Sequence, residues 1–379
     1  MHILIAPNAF KNSLTAGDSA QAIRAGLELS GLDCTIDCFP VGDGGDGTAQ
    51  IIIENFKGVN VNAEVHDPIG RKIQATFGLI DDGKTAIIEM ADASGMRLLS
   101  SDELNPFTTS SYGTGELLKL ALDKNVNEII IGLGGSATVD GGAGLLEALG
   151  VRFLDQDGGK LRQFTQDLSK LEEIDISGID QRIFNCKIIV LCDVDNYLLG
   201  ENGAAATFGP QKGASASDIP NLEMILQRIS DLAYKETKKQ MSKVKHGGAA
   251  GGIAAALHVF FNAELVNGAE YFLSLTNFEE SLKKCDLLIT GEGSLDEQTL
   301  KGKAPFALAK YAKKYKIPVI GLGGNIPLVP NLQMNKYFDV LIAIGNQPSD
   351  LSTAINDTKA NLVRTGTMIG NLFTISSCK

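Results

Sequence analysis

The sequence predicts an α/β fold built on parallel β-sheet. Short apolar runs, several of them β-branched, recur along the chain; each ends at Gly, Pro or Asp, and helical stretches lie between them. Continuous apolar runs of this length are typical of strands that a parallel sheet buries on both faces. The runs are HILIA (2–6), CTIDCF (34–39), EIII (128–131), KIIVLC (187–192), DLLIT (286–290), PVIGL (318–322) and DVLIAI (339–344).

Helix signals occupy the intervals between these strands. Thr15 can cap a helix that has Asp18 at its third position. Pro305 suits the first turn of a later helix, whose apolar residues then recur at helical spacing. Alternation of strands and helices in this order is the pattern of an α/β protein.

A second domain is indicated between about residues 60 and 90. There the chain reads VNAEVHDPIG, RKIQATFGLI and KTAIIEM, which alternate and turn like an antiparallel meander. A chain of 379 residues is long enough for two cores. No linker separates the parts, so one domain inserted into the other and two domains in series are both open.

The charge and residue composition limit the classes of partner that the protein can bind. Lys and Arg total 34 against 45 Asp and Glu, a formal net charge of −11, which disfavours nucleic acid and anionic membranes as partners. No apolar run approaches the roughly 18 residues of a membrane span. The six cysteines form no C-x-x-C pair, and we expect buried, reduced thiols in a cytoplasmic protein.

Polar and acidic residues cluster directly after the predicted strands. Ligand crevices of open parallel sheets lie beyond the carboxyl ends of the strands, so we expect these residues to share one edge. Several carboxylates there would repel one another unless a divalent cation neutralised them, and Mg²⁺ prefers oxygen ligands. The residues are Lys11, Ser13, Asp43, Asp46, Asp193, Asp195, Asn196, Glu292, Asp296 and Gln298.

A glycine-rich loop, GLGGSATVDGGAG (132–144), is the candidate phosphate site. Unencumbered backbone N–H groups at a strand-to-helix junction suit phosphate, and the candidates are Gly134, Gly135, Ser136, Ala137, Thr138 and Asp140. Together with the carboxylates, a metal and Lys11, this loop indicates phosphoryl transfer.

Two other functions remain open on these residues. GLGGSA (132–137) satisfies G-x-G-x-x-A with Asp155 further on, which allows an NAD-dependent oxidoreductase acting on a small hydroxy acid. Against it, Asp140-Gly141-Gly142 interrupts the helix that this motif should open, and Asp155 reads as part of a hairpin turn. A non-catalytic sugar-acid-binding protein is the other alternative. No Walker A motif occurs in the sequence.

Six long motifs resemble, in order and spacing, those of the bacterial-type glycerate kinase family. They are PNAFKNSLTA, PVGDGGDGT, GLGGSATVDGGAG, CDVDNYLLGENGAAATFGPQKGA, HGGAAGG and LLITGEGSLDEQTLKGKAP, and they span essentially the whole chain. The resemblance implies transfer of the ATP γ-phosphoryl group to D-glycerate with Mg²⁺, usually at the 2-hydroxyl. It also implies a flavodoxin-like domain with an inserted restriction-endonuclease-like domain, and a site in the cleft between them. We set the approximate boundaries at 1–60 with 280–379 for the first domain and 61–279 for the second, and a homodimer is compatible with the resemblance.

Chemistry and resemblance together suggest roles for the candidate residues. Lys11, Asp43 and Asp193 are the catalytic candidates, with Asp43 or Asp193 as the base that accepts the hydroxyl proton. Asp193 with Asp195 or Glu292 would hold Mg²⁺, and the 132–144 loop would bind nucleotide phosphates. The substrate-binding candidates are Ser13, Asp46, Asp296 and Gln298. The chain differs from the residues that are more common in this family at Asn8, Ala9, Asn12, Asp46, Val139 and Ser294.

Overall fold

The computed structural model describes residues 1–161, 164–297, 299–329 and 332–377. The predicted substrate ligand Gln298 and the cysteine Cys378 lie outside the described residues. The described part of the chain forms two compact units, which we call the terminal unit (Met1–Asp43 with Gly268–Lys379) and the central unit (Gly44–Asn267).

Thirteen strands are found within the described ranges. They are β1 (His2–Ile5), β2 (Thr35–Cys38), β3 (Val59–His66), β4 (Lys72–Ile80), β5 (Thr85–Glu89), β6 (Glu128–Gly132), β7 (Arg152–Leu154), β8 (Glu173–Asp175), β9 (Lys187–Cys192), β10 (Glu264–Asn267), β11 (Leu287–Ser294), β12 (Val319–Asn325) and β13 (Val340–Ala343). Every apolar run singled out in the sequence forms a strand, so those predictions are confirmed.

Fourteen α-helices connect these strands over the same ranges. They are α1 (Ala16–Leu29), α2 (Thr48–Asn55), α3 (Ala91–Ser94), α4 (Tyr112–Asp123), α5 (Ala143–Ala148), α6 (Ala204–Phe208), α7 (Ile219–Thr237), α8 (Ile253–Phe261), α9 (Gly268–Leu275), α10 (Phe278–Leu282), α11 (Ala304–Lys314), α12 (Leu332–Tyr337), α13 (Leu351–Asn356) and α14 (Thr358–Ser377). The predicted cap of α1 is confirmed, because the Thr15 hydroxyl oxygen accepts a 3.0 Å hydrogen bond from the Asp18 N–H. Among the described helices, none combines the length and the apolar content needed to cross a bilayer.

The terminal unit contains a five-stranded parallel sheet in the order β13-β12-β11-β1-β2. Counted within this unit, the order is 2-1-3-4-5, that of flavodoxin-like doubly wound sheets, and the strand order reverses between β1 and β11. Ligands of such sheets bind at this reversal, so the residues that follow β1 and β11 are the first to examine. Helices α1 and α14 pack together beside β1, with Ile23 and Leu362 in the shared core.

The central unit contains a six-stranded mixed sheet in the order β10-β9-β6-β5-β4-β3. Strands β5, β6, β9 and β10 are parallel, whereas β3, β4 and β5 form the antiparallel meander that the sequence predicts. Helix α2 packs on β4 and β5, which draws residues 48–55 into this unit. The units therefore divide after Asp43 and after Asn267, whereas the sequence analysis placed its approximate boundaries near 60 and 280; those boundaries stay a prediction.

Two sequence expectations about burial need correction. Strand β2 is an edge strand whose residues alternate between exposed and half-buried, because only β1 pairs with it. The five described cysteines are free, but Cys34 and Cys38 on and beside this edge strand are only partly buried. Cys186, Cys192 and Cys285 are buried, as predicted.

Candidate active site

Asn8, which follows β1, and Asp43, which follows β2, meet at the carboxyl end of the terminal unit's sheet. The Asn8 side-chain amide donates a 2.8 Å hydrogen bond to a carboxylate oxygen of Asp43. Both side chains are buried, with 6% and 4% of their surface exposed. Asn8 is itself held in place, because its backbone N–H donates to the Gly291 carbonyl of β11 and its side-chain oxygen accepts from the Ala9 N–H.

Glu292 lies near the end of β11, the neighbour of β1, and is the second buried carboxylate of this edge. The hydroxyl of Thr299 donates a 2.9 Å hydrogen bond to Glu292 Oε1, and the Lys303 ammonium lies 4.0 Å from Oε2. Burial raises the pKa of Glu292 to about 7, with the Lys303 charge opposing the shift and the Asp43 charge adding to it. The Asp43 carboxylate and the Lys11 ammonium are thus both close enough to act on Glu292.

Lys11 is exposed in the turn after β1, and its backbone N–H lies beside Gly293 of β11. Its positive charge lowers the pKa of Glu292. The structure therefore brings Lys11, Asp43 and Glu292 together at the reversal of strand order, as the sequence predicted for polar residues after parallel strands. It adds Asn8 and Lys303, which received no role from the sequence.

Two predicted substrate ligands of the terminal unit make local contacts. The Ser13 hydroxyl donates to the Ile355 carbonyl at 2.6 Å, which commits its proton to the end of α13. Asp296 accepts a 2.9 Å hydrogen bond from the hydroxyl of Ser294. These contacts indicate that Ser13 and Asp296 help to fix the conformation of their own loops. Substrate binding by either residue stays a prediction.

In the central unit, the chain after Asp43 lies against the glycine-rich loop. The Gly134 N–H donates to the Gly44 carbonyl at 3.0 Å, and a methyl group on Gly135 would lie 2.4 Å from a carboxylate oxygen of Asp46. Gly135 has φ of +71°, a backbone conformation that favours glycine, and the nearby Asp46 carboxylate leaves no room for a side chain. The predicted residues Asp46, Gly134 and Gly135 therefore form one cluster.

Glu89, the last residue of β5, is a buried carboxylate in the same region. One of its oxygens accepts a 3.0 Å hydrogen bond from the Ala49 N–H in the first turn of α2. Burial raises the pKa of Glu89 to about 7, and the charges of Asp92 and Asp46 add to the shift while that of Arg97 opposes it. The rule that located the other carboxylates, a polar residue at the carboxyl end of a buried strand, also applies to Glu89, but the sequence analysis did not assign it.

Ser136, Ala137, Thr138 and Asp140 are buried in the loop itself. The Ala137 N–H donates to the Ser94 carbonyl. Asp140 accepts hydrogen bonds from both the N–H and the hydroxyl of Ser111 and from the N–H groups of Gly142 and Gly144. Asp140 thus has its acceptor oxygens occupied by the protein, which favours a structural role for it.

Lys212 packs behind this loop and is almost completely buried, with 1% of its surface exposed. Its ammonium group donates to Ser136 Oγ at 2.7 Å and to the Thr138 carbonyl at 2.8 Å. The Thr138 hydroxyl is buried without a hydrogen-bond partner among the described residues, an arrangement that costs about 1–3 kcal/mol. Lys212 belongs to the GPQKGA motif, but nothing in its local sequence shows that it is buried against residues 136–138.

The acidic residues after β9 follow the strand that pairs in parallel with β6, which leads into the glycine-rich loop. Asp195 is exposed and lies 3.4 Å from the Lys245 ammonium and 3.2 Å from His246 Nδ1. His246 also contacts the Val194 carbonyl, at 2.7 Å, and thereby ties this loop to the HGGAAGG segment. Asp193 is half-buried. Within the described ranges, no group of three or more His, Cys, Asp or Glu side chains is arranged to hold a metal, and the set Asp193, Asp195 and Glu292 stays a prediction.

The loop geometry does not suit a dinucleotide-binding motif. Helix α5 begins only at Ala143, beyond GLGGSA, whereas the motif requires the helix to open within it. Asp155 lies in a turn, where its carbonyl accepts from the Gly158 N–H, and Leu154 and Lys160 pair across that turn. The hairpin predicted around Asp155 is confirmed, which removes the acidic residue that would bind a ribose.

Comparison with known proteins gives one consistent result. A sequence profile described as the glycerate kinase family matches residues 3–374. The chain is 44% identical over 349 residues to glycerate 2-kinase of Escherichia coli strain K12, covering 91% of this chain and 92% of that protein. It is 43% identical over 344 residues to glycerate kinase of Bacillus subtilis strain 168, covering 91% and 90%.

A solved structure agrees with these sequence matches. A crystal structure from Salmonella typhimurium LT2, provisionally described as glycerate kinase 2, superposes with a TM-score of 0.83 at 39% identity, and each chain is covered completely. The α/β fold with parallel sheets is therefore confirmed by the protein's own strand pairing and by this match.

Proposed function

Because the chain belongs to the glycerate kinase family, we propose that it transfers the γ-phosphoryl group of ATP to D-glycerate. Transfer to the 2-hydroxyl, which gives 2-phosphoglycerate, is favoured by the resemblance to the Escherichia coli protein named glycerate 2-kinase. The observation that carries the proposal is the group of Asp43, Glu292, Lys11 and Lys303 at the reversal of strand order in the terminal unit.

Asp43 is the proposed base. A secondary alcohol must lose its proton as it attacks phosphorus, and a buried carboxylate at the ligand-binding edge of the sheet is a suitable acceptor. The amide of Asn8 donates to one carboxylate oxygen and so fixes the orientation of the group. Asp193, the other candidate base, is half-buried after β9 in the central unit and stays the alternative.

Two lysines supply the positive charge that this chemistry needs. During its transfer the phosphoryl group carries negative charge on three oxygens. Catalysis consists mainly of positioning this group and neutralising its charge. Lys11 is exposed beside Gly293, and Lys303 lies at the start of α11 with its ammonium 4.0 Å from Glu292. We assign them to the migrating phosphoryl group or to the glycerate carboxylate.

The residues of the terminal unit fit a magnesium ion. Mg²⁺ is usually bound through one or two carboxylates together with waters and substrate phosphates, and Glu292 offers one. The raised pKa of Glu292 reflects burial next to a second carboxylate, a combination that a cation relieves. When bound, Mg²⁺ would neutralise the phosphate oxygens of ATP. We propose Glu292 as its main protein ligand, with Asp193 and Asp195 as further candidates.

The cluster of Asp46, Gly134, Gly135 and Ser136 is the proposed nucleotide-phosphate region. The location of the site in a cleft between two domains, the homodimer and the cytoplasmic location stay predictions.

The experiment that tests this function is ADP release from ATP and Mg²⁺ across a panel of small hydroxy acids. We expect ADP with D-glycerate and none when the hydroxy acid is omitted. A change in nicotinamide absorbance without ADP would favour the oxidoreductase. Thermal stabilisation by glycerate without turnover would favour a binding protein.

A further inference from the structure

The buried ammonium group of Lys212 is the most unusual charge in the central unit. Lysine is almost never fully buried unless it is paired, yet the two acceptors of Lys212 are neutral, the hydroxyl of Ser136 and the carbonyl of Thr138. The turn that contains Lys212 packs tightly against the rest of the central unit. Pro210 begins the turn, and Gly213 follows with φ of +97°, so close to the Leu104 carbonyl that a methyl group would lie 2.0 Å from that oxygen.

The contact with Lys212 determines what the Ser136 hydroxyl can do. Its oxygen accepts from an ammonium group, which has no acceptor of its own, so the serine proton must be donated to a different group. A hydroxyl that accepts from a cation is also a stronger donor, because hydrogen bonds in such chains polarise one another. Ser136 is 6% exposed and lies next to Gly135 in the proposed phosphate region, so a ligand at the loop is the natural acceptor.

The electrostatic surroundings of Lys212 favour an anion. The negative charge of Asp140 acts on Lys212, but the Asp140 carboxylate already accepts hydrogen bonds from Ser111 and from the N–H groups of Gly142 and Gly144. Burial lowers the pKa of Lys212 to about 7, and the Asp140 charge only partly opposes this. An anion bound near Ser136 would stabilise the charged form of the lysine.

We propose that Lys212 is a positioning residue of the nucleotide-phosphate subsite: it orients the Ser136 hydroxyl as a donor to a phosphate oxygen of ATP and supports that phosphate with positive charge from behind the loop. This inference rests on the proposed function, since it takes ATP as the ligand of the loop. It assigns Lys212 no contact with glycerate.

The test compares Lys212→Met, Lys212→Arg and Ser136→Ala with a control, Lys119→Met, which removes an exposed lysine of α4. Affinity for Mg·ATP is measured by calorimetry, and KM for ATP and for glycerate by kinetics. We expect Lys212→Met to weaken ATP binding at least ten-fold and to leave KM for glycerate within two-fold. Ser136→Ala should weaken ATP binding less, Lys212→Arg should recover part of the loss, and Lys119→Met should match the parent protein.

A measurement on the unmodified protein keeps the inference testable if Lys212→Met does not fold. At pH 8.5, where ATP is fully ionised, calorimetry in two buffers of different ionisation enthalpy should show proton uptake when Mg·ATP binds. Ser136→Ala should reduce that uptake, and Lys212→Met, if folded, should abolish it. Unchanged ATP affinity in Lys212→Met, or no proton uptake in the parent protein, would overturn the role of Lys212. A parent protein that binds ATP with proton uptake but does not phosphorylate glycerate would instead overturn the proposed function.

Discussion

The side-chain amide of Asn8 donates a 2.8 Å hydrogen bond to the carboxylate of Asp43, and both groups are buried at the end of the terminal unit's sheet. The contact exists because β1 and β2 are parallel neighbours, so their carboxyl ends lie side by side. The sequence shows Asn8 only as a departure from the residue that is common in the family. In the structure, Asn8 orients Asp43, the proposed base.

Asp43→Asn tests that base. The change deletes the charge at almost constant volume, so we expect kcat for glycerate phosphorylation to fall about 10²–10⁴-fold while the fold persists. Rates are measured by ADP release at saturating ATP and glycerate. Asp33→Asn, at the opposite end of β2 and exposed, is the matched control and should keep full activity. Full activity in Asp43→Asn would remove Asp43 from the mechanism.

Glu292→Gln tests the magnesium assignment. The amide keeps the shape of the side chain and can still accept from Thr299, but it offers no charge to a cation. We expect the Mg²⁺ concentration for half-maximal velocity to rise about ten-fold or more. Glu297→Gln, in the exposed loop that follows β11, serves as the control. Identical magnesium titrations for the two variants would exclude Glu292 as a ligand.

Gly135→Ala tests the contact between the glycine-rich loop and Asp46. The added methyl group would lie 2.4 Å from a carboxylate oxygen of Asp46 and must displace it. Gly158→Ala is the matched control, because Gly158 has a similar φ of +75° but no atom within 4 Å of the added methyl group. Both variants bear the backbone cost of about 1–2 kcal/mol. Only Gly135→Ala should raise KM for ATP, by an expected ten-fold or more, and equal effects would contradict the assignment.

Glu89→Gln tests the burial of that carboxylate through the pH dependence of stability. The pKa of Glu89 is about 7 in the folded protein against an ordinary value of 4.5, so the folded state keeps a proton that the unfolded chain releases. The free energy of unfolding must therefore fall as the pH rises from 4.5 to about 7, and level off above. The loss is on the order of 3 kcal/mol. Melting temperatures at pH 5 to 8 should fall less steeply in Glu89→Gln, and parallel curves would show that Glu89 titrates normally.

The strands and the ligand-binding edge could be predicted from sequence because both follow from local patterns. Continuous apolar runs located β1, β6, β9, β11 and β12, and polar residues at or just after the carboxyl ends of β1, β2 and β11 share an edge. The burial of edge strand β2 could not be predicted, because the sequence does not show that this strand has a neighbour on one side only.

Contacts between distant parts of the chain account for what the sequence could not show. Lys212 reaches Ser136 across 76 positions, and Glu89 reaches Ala49 across 40, so neither contact leaves a local pattern. Ser13 illustrates the opposite case, because a residue in a promising motif donates to the carbonyl of Ile355, which is 342 positions away.

The phosphorus NMR spectrum of a reaction containing the protein, ATP, Mg²⁺ and D-glycerate tests the central claim most directly. We predict that the γ-phosphate signal of ATP disappears as ADP and a single phosphomonoester form in equal amounts, with coupling to one carbon-bound proton, as phosphorylation at the 2-hydroxyl requires. A spectrum that still contains only ATP, or an ester coupled to two protons, would contradict it.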